Sequence, residues 1–554
     1  MKQLPVGVSD FKELIEGNYY FVDKTDFIQE ILTDGAKVKL FTRPRRFGKT
    51  LNMSMLRYFF DSRNAEEHRK LFTDLDIQHS PHFEEQGKYP VIYLSLKDIK
   101  EASWQDCSKR MRKVLSDVFD EYKYLRDDLD QRDLKNFDGI WLEEAEGNYF
   151  DALKDLSKYL SRYHEKKVVI LLDEYDTPIV SAYENGYYQE AISFFRNFYS
   201  AALKDNVYLE LGVMTGILRV AKEGIFSGLN NLAVYSILDE RYSSYFGLTE
   251  TEVQEALNYY DLESSMQEVK EWYDGYCFGK MEIYNPWSII SYISNRKLEA
   301  YWISTSSNGL INQMLEKATK TEGNIFQKLE KLFQGKHILQ KIQKSSDFHD
   351  LVRVEEVWQL FLYSGYLTME REQEGEMYQL KIPNQEVYSF FQESFIQKFL
   401  GNITEFSSLI LVLEKKEWKE LERILQNILL SSLSYFDLSS EQEKIYHVFM
   451  IGLLSTLRNR YYIRSNRESG YGRYDLLLEP KQKEKTAYLF EFKVAKKEED
   501  LEKKAEEAIA QMEEKHYDVE LRERGIGKFL LLGIAFYGKK VKVKFLDKII
   551  KSIV

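Results

Sequence analysis

One stretch narrows the choice of fold more than any other. Residues 37–60 begin with a short β-type run from Val38 to Thr42, turn through Arg43-Pro-Arg-Arg-Phe, and reach Gly48-Lys49-Thr50. A helical pattern follows, with Leu51, Met55, Leu56 and Phe59 on one side. Strand, phosphate loop and helix is the expected order. Backbone N–H groups at a helix start cradle phosphates, a lysine in the position of Lys49 reaches the β- and γ-phosphates, and the Thr50 hydroxyl meets Mg²⁺. The general pattern wants glycine where Arg43 stands, and Arg45 and Arg46 put charge inside the loop. On the tripeptide alone, a basic turn before an amphipathic helix fits equally well.

A chain of 554 residues exceeds one hydrophobic core, and length alone suggests about three or four domains. With 44% hydrophobic and 30% charged residues, only 8 prolines and no low-complexity tract, the composition is that of a soluble globular protein without long disordered linkers. The net charge of −12 excludes a globally basic nucleic-acid binder. The balance is uneven, however: residues 441–554 hold 24 basic against 19 acidic side chains, so a polyanion partner is sought there. Cys107 and Cys277 are the only cysteines, which excludes a cysteine-based zinc framework and suits a reducing compartment. The N-terminal residues lack a signal-peptide apolar core, and no run approaches the ~18 apolar residues of a membrane span. A cytoplasmic location and no membrane partner are the expectations.

Along the chain, Asp23-Lys-Thr25 is placed to cap a helix from Asp26 to Leu32. Pro90 to Leu96 forms a buried strand, and residues 100–165 are mostly helical. Val168 to Leu172 is a continuous apolar run ending in Asp173-Glu174, as expected of a strand covered on both faces. Ligands of α/β sheets sit at such strand ends. Asp173 would hold the Mg²⁺ shell and Glu174 would orient or deprotonate the attacking water. Asp-Glu by itself is more simply the start of a loop; downstream of strand, Gly-Lys-Thr and helix, it favours nucleotide chemistry. A third apolar strand, Leu209 to Met214, leads to Thr215, a candidate γ-phosphate sensor, and to Arg219, which would stabilise phosphate charge or make a surface ion pair.

Arg43-Pro-Arg-Arg-Phe-Gly-Lys-Thr50, Asp23-Lys-Thr25, Leu172-Asp-Glu-Tyr-Asp176 and Thr215-Gly-Ile-Leu-Arg219 together resemble the prokaryotic AAA-ATPase-like family. Trp272-Tyr-Asp-Gly-Tyr276 and Tyr284-Asn-Pro-Trp-Ser288 are similar to its downstream motifs, so the resemblance covers roughly residues 1–300. In that family the loop itself reads Arg-Pro-Arg-Arg-Phe-Gly-Lys. The resemblance implies an ASCE-type P-loop core with ATP as cofactor and Arg45, Arg46, Phe47, Gly48, Lys49, Thr50, Asp173 and Thr215 around it. Residues 246–435 are expected to be mostly helical, opening with a capping box at Thr249 and Glu252. They form a lid, with a winged-helix-like module around Val354 to Pro383; such modules bind DNA, but serve more often as packing adaptors.

The remainder carries a second pattern. After a helix from Glu441 to Leu457, Gly472-Arg-Tyr-Asp475 opens a strand, and a polar turn leads to Ala487-Tyr-Leu-Phe-Glu491-Phe-Lys493-Val494. The period of two puts Leu489, Glu491 and Lys493 on one face. A hairpin would bring Asp475 beside Glu491, and two such carboxylates repel unless a cation lies between them. Mg²⁺ suits hard oxygen ligands, and Lys493 would position or help activate water for attack on a phosphodiester. Glu-x-Lys on an exposed strand is otherwise a solvated pair. Asp with Glu-x-Lys on adjacent strands is similar to the PD-(D/E)XK nucleases. That resemblance implies an acidic residue on the preceding helix, for which Glu443 is nearest. It also matches Gln511 to the glutamine of the exonuclease-like branch, whose following aromatic is displaced here to Tyr517. The acidic helix Glu498 to Glu514 would not attract DNA.

The expected architecture is α/β and multidomain: a P-loop ATPase domain at 1–245, a helical lid with the winged-helix-like module at 246–435, and a restriction-endonuclease-like α/β domain at 436–554. The expected function is an ATP-hydrolysing protein coupled to a Mg²⁺-dependent nuclease acting on DNA, with homo-oligomers allowed. The alternatives are a nucleotide-dependent switch whose nuclease fold binds without cutting, and an ATPase motor on DNA.

Overall fold

The computed structural model describes residues 1–218, 232–302, 310–311, 313–314, 325–343, 357–373, 375–391, 409–431, 442–454, 457, 460–482 and 484–549. Its contacts divide the chain into one unit of residues 1–318 and 339–386 and a second of 319–338 and 387–554.

The first unit is built on five parallel strands: β1 Val38–Thr42, β2 Val91–Ser95, β3 Val168–Asp173, β4 Leu209–Gly216 and β5 Leu232–Tyr235. Their order is β2-β3-β4-β1-β5, with every neighbour pair parallel. β1 and β3 are buried along their whole length, which accounts for the unbroken apolar run of β3, while β1 buries Lys39 among its apolar residues. β4 lies between the loop strand and the Asp-Glu strand, the arrangement of an ASCE-type P-loop core. Helix Thr177–Asn185 begins right after β3 with a proline in its first turn, where no N–H is missed.

Three local expectations meet different outcomes. Helix Glu250–Tyr259 carries the full capping box, with Thr249 and Glu252 exchanging side-chain and backbone bonds. Helix Asp26–Thr33 has Thr25 at its N-cap but no side-chain cap bond. Asp23 Oδ1 instead accepts from the Thr25 N–H at 2.8 Å and its hydroxyl at 2.7 Å, so the acidic residue orders the turn before the helix. The described residues of the middle region are largely helical but also contain short strands: β6 Tyr276–Phe278 with β7 Met281–Ile283, and β8 Ile338–Lys341 with the hairpin of β9 Thr368–Gln373 and β10 Met377–Lys381. These runs are only three to six residues long and are bounded by turn residues at Gly275, Gly279 and Gly375, too short for periodicity to separate them from helix. Where the winged module was expected, helix Val357–Tyr363 precedes the β9–β10 hairpin.

The second unit contains a five-stranded mixed sheet, ordered β11 Tyr461–Ser469, β12 Gly472–Pro480, β13 Ala487–Val494, β14 Lys528–Tyr537 and β15 Lys540–Ile549. Only β13 and β14 run parallel, joined through helix Leu501–Glu514, which packs against β13, β14 and β15. At Gly533 an added Cβ would collide with the Ala505 carbonyl, so glycine is what lets this helix lie close to the sheet. Helix Gln442–Leu454 also packs on β13, and its Tyr446 ring stacks on Phe536 at 4.3 Å. Among the described residues, no helix is long and apolar enough to cross a membrane.

Candidate active sites

Parallel pairing brings the C-terminal ends of β1, β3 and β4 to one edge of the first sheet. At the end of β1 the chain turns into helix Lys49–Phe60 through Gly48, whose φ of 82° is a left-handed conformation that disfavours a side chain. Lys49 is buried, and its Nζ donates to the carbonyls of Arg43 at 3.1 Å and Pro44 at 2.9 Å, spanning the loop from inside. Burial lowers its pKa from the ordinary lysine value, against the charges of Glu174, Asp176 and Asp173.

Asp173 is the junction of the site. Its Oδ2 accepts from Thr50 Oγ1 at 2.8 Å and its Oδ1 from Thr215 Oγ1 at 2.6 Å. Loop helix, β3 and β4 are thereby joined at one buried carboxylate. Desolvation raises its pKa; the Thr215 bond opposes this and the charge of Glu174 adds to it. Glu174 follows with φ of 52°, a strained value for a residue with a side chain, and its N–H donates to Thr215 Oγ1 at 3.3 Å. Thr215 thus acts on the site through Asp173 and Glu174. Asp176, wholly buried, accepts from the N–H groups of Ile217 and Leu218, each at 2.8 Å; burial pushes its pKa up to about 6. A hydroxyl and a carboxylate side by side, beneath a helix N-terminus, make a donor set that suits a hard divalent cation beside phosphate.

Three other side chains of the loop pack into the protein. Arg43, at the position where glycine is usual, is buried with Nη1 donating to the Thr42 and Tyr235 carbonyls at 2.9 Å and its guanidinium between the rings of Phe246 and Phe278. The Arg46 guanidinium lies 3.8 Å from the Trp287 ring centroid. Phe47 is buried between Tyr276 at 5.0 Å and Phe278 at 5.1 Å. Of the residues expected around the cofactor, then, Arg46 and Phe47 have side chains committed to packing within the protein. The Arg45 carbonyl accepts from Trp302 Nε1 at 3.1 Å and Asn285 Nδ2 at 3.4 Å, and Arg45 lines a cavity of about 200 Å³ with Asp176, Thr177, Trp302 and Tyr366. The two downstream motifs supply Tyr276, Asn285 and Trp287 to this cage; Trp302 carried no sequence signal. Arg219 lies outside the described residues.

In the second unit, β12 and β13 pair antiparallel with Leu476 opposite Phe490, which puts Asp475 and Glu491 at the next register step. Asp475 Oδ2 accepts the Phe492 N–H at 2.6 Å. Glu491 is buried, and its Oε1 accepts from Lys493 Nζ at 2.9 Å and Gln511 Nε2 at 2.6 Å. Its Oε2 is buried with no hydrogen-bond partner. Burial, and after it the charge of Asp475, raises the Glu491 pKa to about 7, against the charge of Lys493. A buried, unpartnered carboxylate oxygen beside a second carboxylate fits a divalent cation. Gln511 also bonds Tyr517 Oη at 3.0 Å, so the displaced aromatic still reaches the site through the short segment after the helix. Glu443 falls on helix Gln442–Leu454, but its side chain lies outside the described residues. One turn later His447, which the sequence did not single out, meets the Asp475 carbonyl at 2.9 Å and Ser465 Oγ at 3.0 Å.

Fold and site geometry define the chain as an ASCE-type P-loop domain joined to a restriction-endonuclease-like domain. Residues 5–226 match the family model described as a predicted AAA-ATPase, and residues 441–546 match that of the PD-(D/E)XK nuclease superfamily. The chain therefore carries an AAA-ATPase-like domain and a PD-(D/E)XK nuclease-like domain. It is also similar to the "Uncharacterized protein in vnfD 5'region" of Azotobacter chroococcum mcd 1, with 26% identity over 405 residues, covering 72% of this chain and 71% of that protein.

Proposed function

We propose that the chain binds and hydrolyses ATP with Mg²⁺ in its first unit and cleaves DNA with a divalent cation in its second, the nucleotide state governing cleavage. Lys49 and the loop backbone bind the phosphates, Thr50 and Asp173 hold the cation, and Glu174 orients the attacking water. Thr215 keeps Asp173 in place, and Arg219 is retained as the residue that stabilises phosphate charge. In the second unit Asp475 and Glu491, with Glu443 as a further ligand, hold the metal. When bound, that ion would stabilise charge developing on a phosphodiester. Lys493 positions the water, and Gln511 holds Glu491 from the helix side. The domain limits at 245 and 435, a cytoplasmic location and assembly into homo-oligomers belong to the same proposal.

The observation that carries it is the pairing of β12 with β13, which sets Asp475, Glu491 and Lys493 together and leaves Glu491 Oε2 buried without a partner. The test is cleavage of linear, circular and single-stranded DNA with Mg²⁺ or Mn²⁺, beside a Glu491→Ala/Lys493→Ala double variant. Cutting by the wild type that this variant abolishes is the expected result. No cutting under any condition, with ATP hydrolysis intact, would leave the chain as a nucleotide-dependent switch whose nuclease fold only binds.

A further inference from the structure

Glu386 is fully buried and lies near the start of a helical segment, residues 385–391. Its carboxylate takes a donor on each oxygen, the Trp302 N–H reaching Oε1 at 2.5 Å and the Ser288 hydroxyl reaching Oε2 at 2.8 Å, with the Tyr301 N–H also directed at it. Trp302 and Ser288 both lead to the phosphate loop. Trp302, itself buried, donates its indole N–H to the Arg45 carbonyl at 3.1 Å. Ser288 is in the first turn of helix Pro286–Asn295, whose cap Asn285 accepts from the Trp287 and Ser288 N–H groups and donates from its amide to the same Arg45 carbonyl. Between them, Trp287 lies under the Arg46 guanidinium. One buried carboxylate therefore holds two arms that close on consecutive residues of the loop.

We propose that Glu386 is a positioning residue for the phosphate loop, acting through Trp302 on Arg45 and through the Ser288 helix on Arg45 and Arg46. This rests on ATP binding at that loop. Phosphate is held by backbone N–H groups whose directions follow the loop's peptide planes, so a displaced Arg45 carbonyl turns the next N–H out of line. A carboxylate suits the task because it offers an acceptor on each oxygen, and losing it strands the buried donors that meet there. Glu386 is also the last residue of the first unit before the chain passes into the second at Val387.

The test is MgATP affinity by calorimetry on the full chain, for wild type, Glu386→Ala, Glu386→Gln, Trp302→Phe and the Glu386→Ala/Trp302→Phe double variant. Glu386→Ala and Trp302→Phe are each expected to weaken ATP binding by about tenfold. Glu386→Gln, which keeps an acceptor for Trp302 while the Ser288 hydroxyl turns to accept from the amide, stays within about twofold of wild type. The double variant is expected to lose little beyond either single one, because both act on one carbonyl. Wild-type affinity in Trp302→Phe, or fully additive losses, would overturn the proposal. Should Glu386→Ala fail to fold, Trp302→Phe and Glu386→Gln still decide. A wild type that does not bind ATP would instead overturn the ATPase function itself, which its own titration distinguishes.

Discussion

Thr50 and Thr215 each supply one hydrogen bond to a different oxygen of Asp173, a carboxylate with no exposed surface. Removing either hydroxyl leaves a buried oxygen without its donor and, for Thr50, removes a candidate cation ligand as well. Thr50→Ala is expected to lower ATP hydrolysis by about 10²-fold and to raise the Mg²⁺ concentration needed for half-maximal rate. Steady-state rates over a Mg²⁺ titration check this, and an unchanged rate would remove Thr50 from the site. Glu386 allows a second prediction. Burial raises its pKa to about 7, opposed by the Ser288 hydroxyl and by the backbone N–H groups of Trp302 and Tyr301. Because the folded value lies above the unfolded one, its contribution to stability is fully present below about pH 4.5 and is lost as pH rises towards 7. Replacing it by glutamine is expected to remove that dependence, on the order of 3 kcal/mol over the window. Urea midpoints of wild type and Glu386→Gln at pH 5 and pH 8 measure the difference.

Elements decide which of these residues can meet. The parallel pairing of β1, β3 and β4 aligns their ends, so a loop, a carboxylate pair and a threonine from three distant stretches share one edge. In the second unit the β12–β13 register and helix Leu501–Glu514 together build the site, the helix bringing Gln511 to Glu491. Gly533 on β14 is the contact point that lets the helix approach. Gly533→Val is expected to destabilise the second unit by roughly 1–3 kcal/mol through overpacking and to depress DNA cleavage by withdrawing Gln511 from Glu491. A denaturation midpoint matching wild type, with cleavage intact, would show that the helix tolerates the displacement.

For the molecule as a whole the question is whether the two sites work together. Nucleotide can shift the second unit only if it binds two conformations of the chain with different affinity. Addition of ATP is expected to change the DNA cleavage rate several-fold, and Lys49→Ala to abolish that change while sparing the basal rate. Parallel cleavage assays with and without ATP make the comparison. Equal rates in wild type would mean that the two domains share a chain without sharing a cycle.

Much of this was legible in the linear sequence because it depends on short-range pattern. Strand β1, the loop helix, the Asp173-Glu174 strand end and the Glu491-x-Lys493 strand each follow from side-chain type and period within a dozen residues. The helix–hairpin alternation of the middle region was not, since strands of three to six residues carry too few side chains to establish a period. Arg43 departs from the general glycine rule but matches the resembled family's loop, and its cage of Phe246, Phe278 and three backbone carbonyls gives the physical reason. Tyr517 looked displaced, yet it meets Gln511. What the sequence determined by itself was the inventory: which local segments form, and which donors and acceptors they carry. The bonds through which those groups meet were decided by tertiary structure. Thr50 and Asp173 are 123 positions apart, and Trp302 and Arg45 are 257 apart, and only strand order and burial bring such pairs within a hydrogen bond.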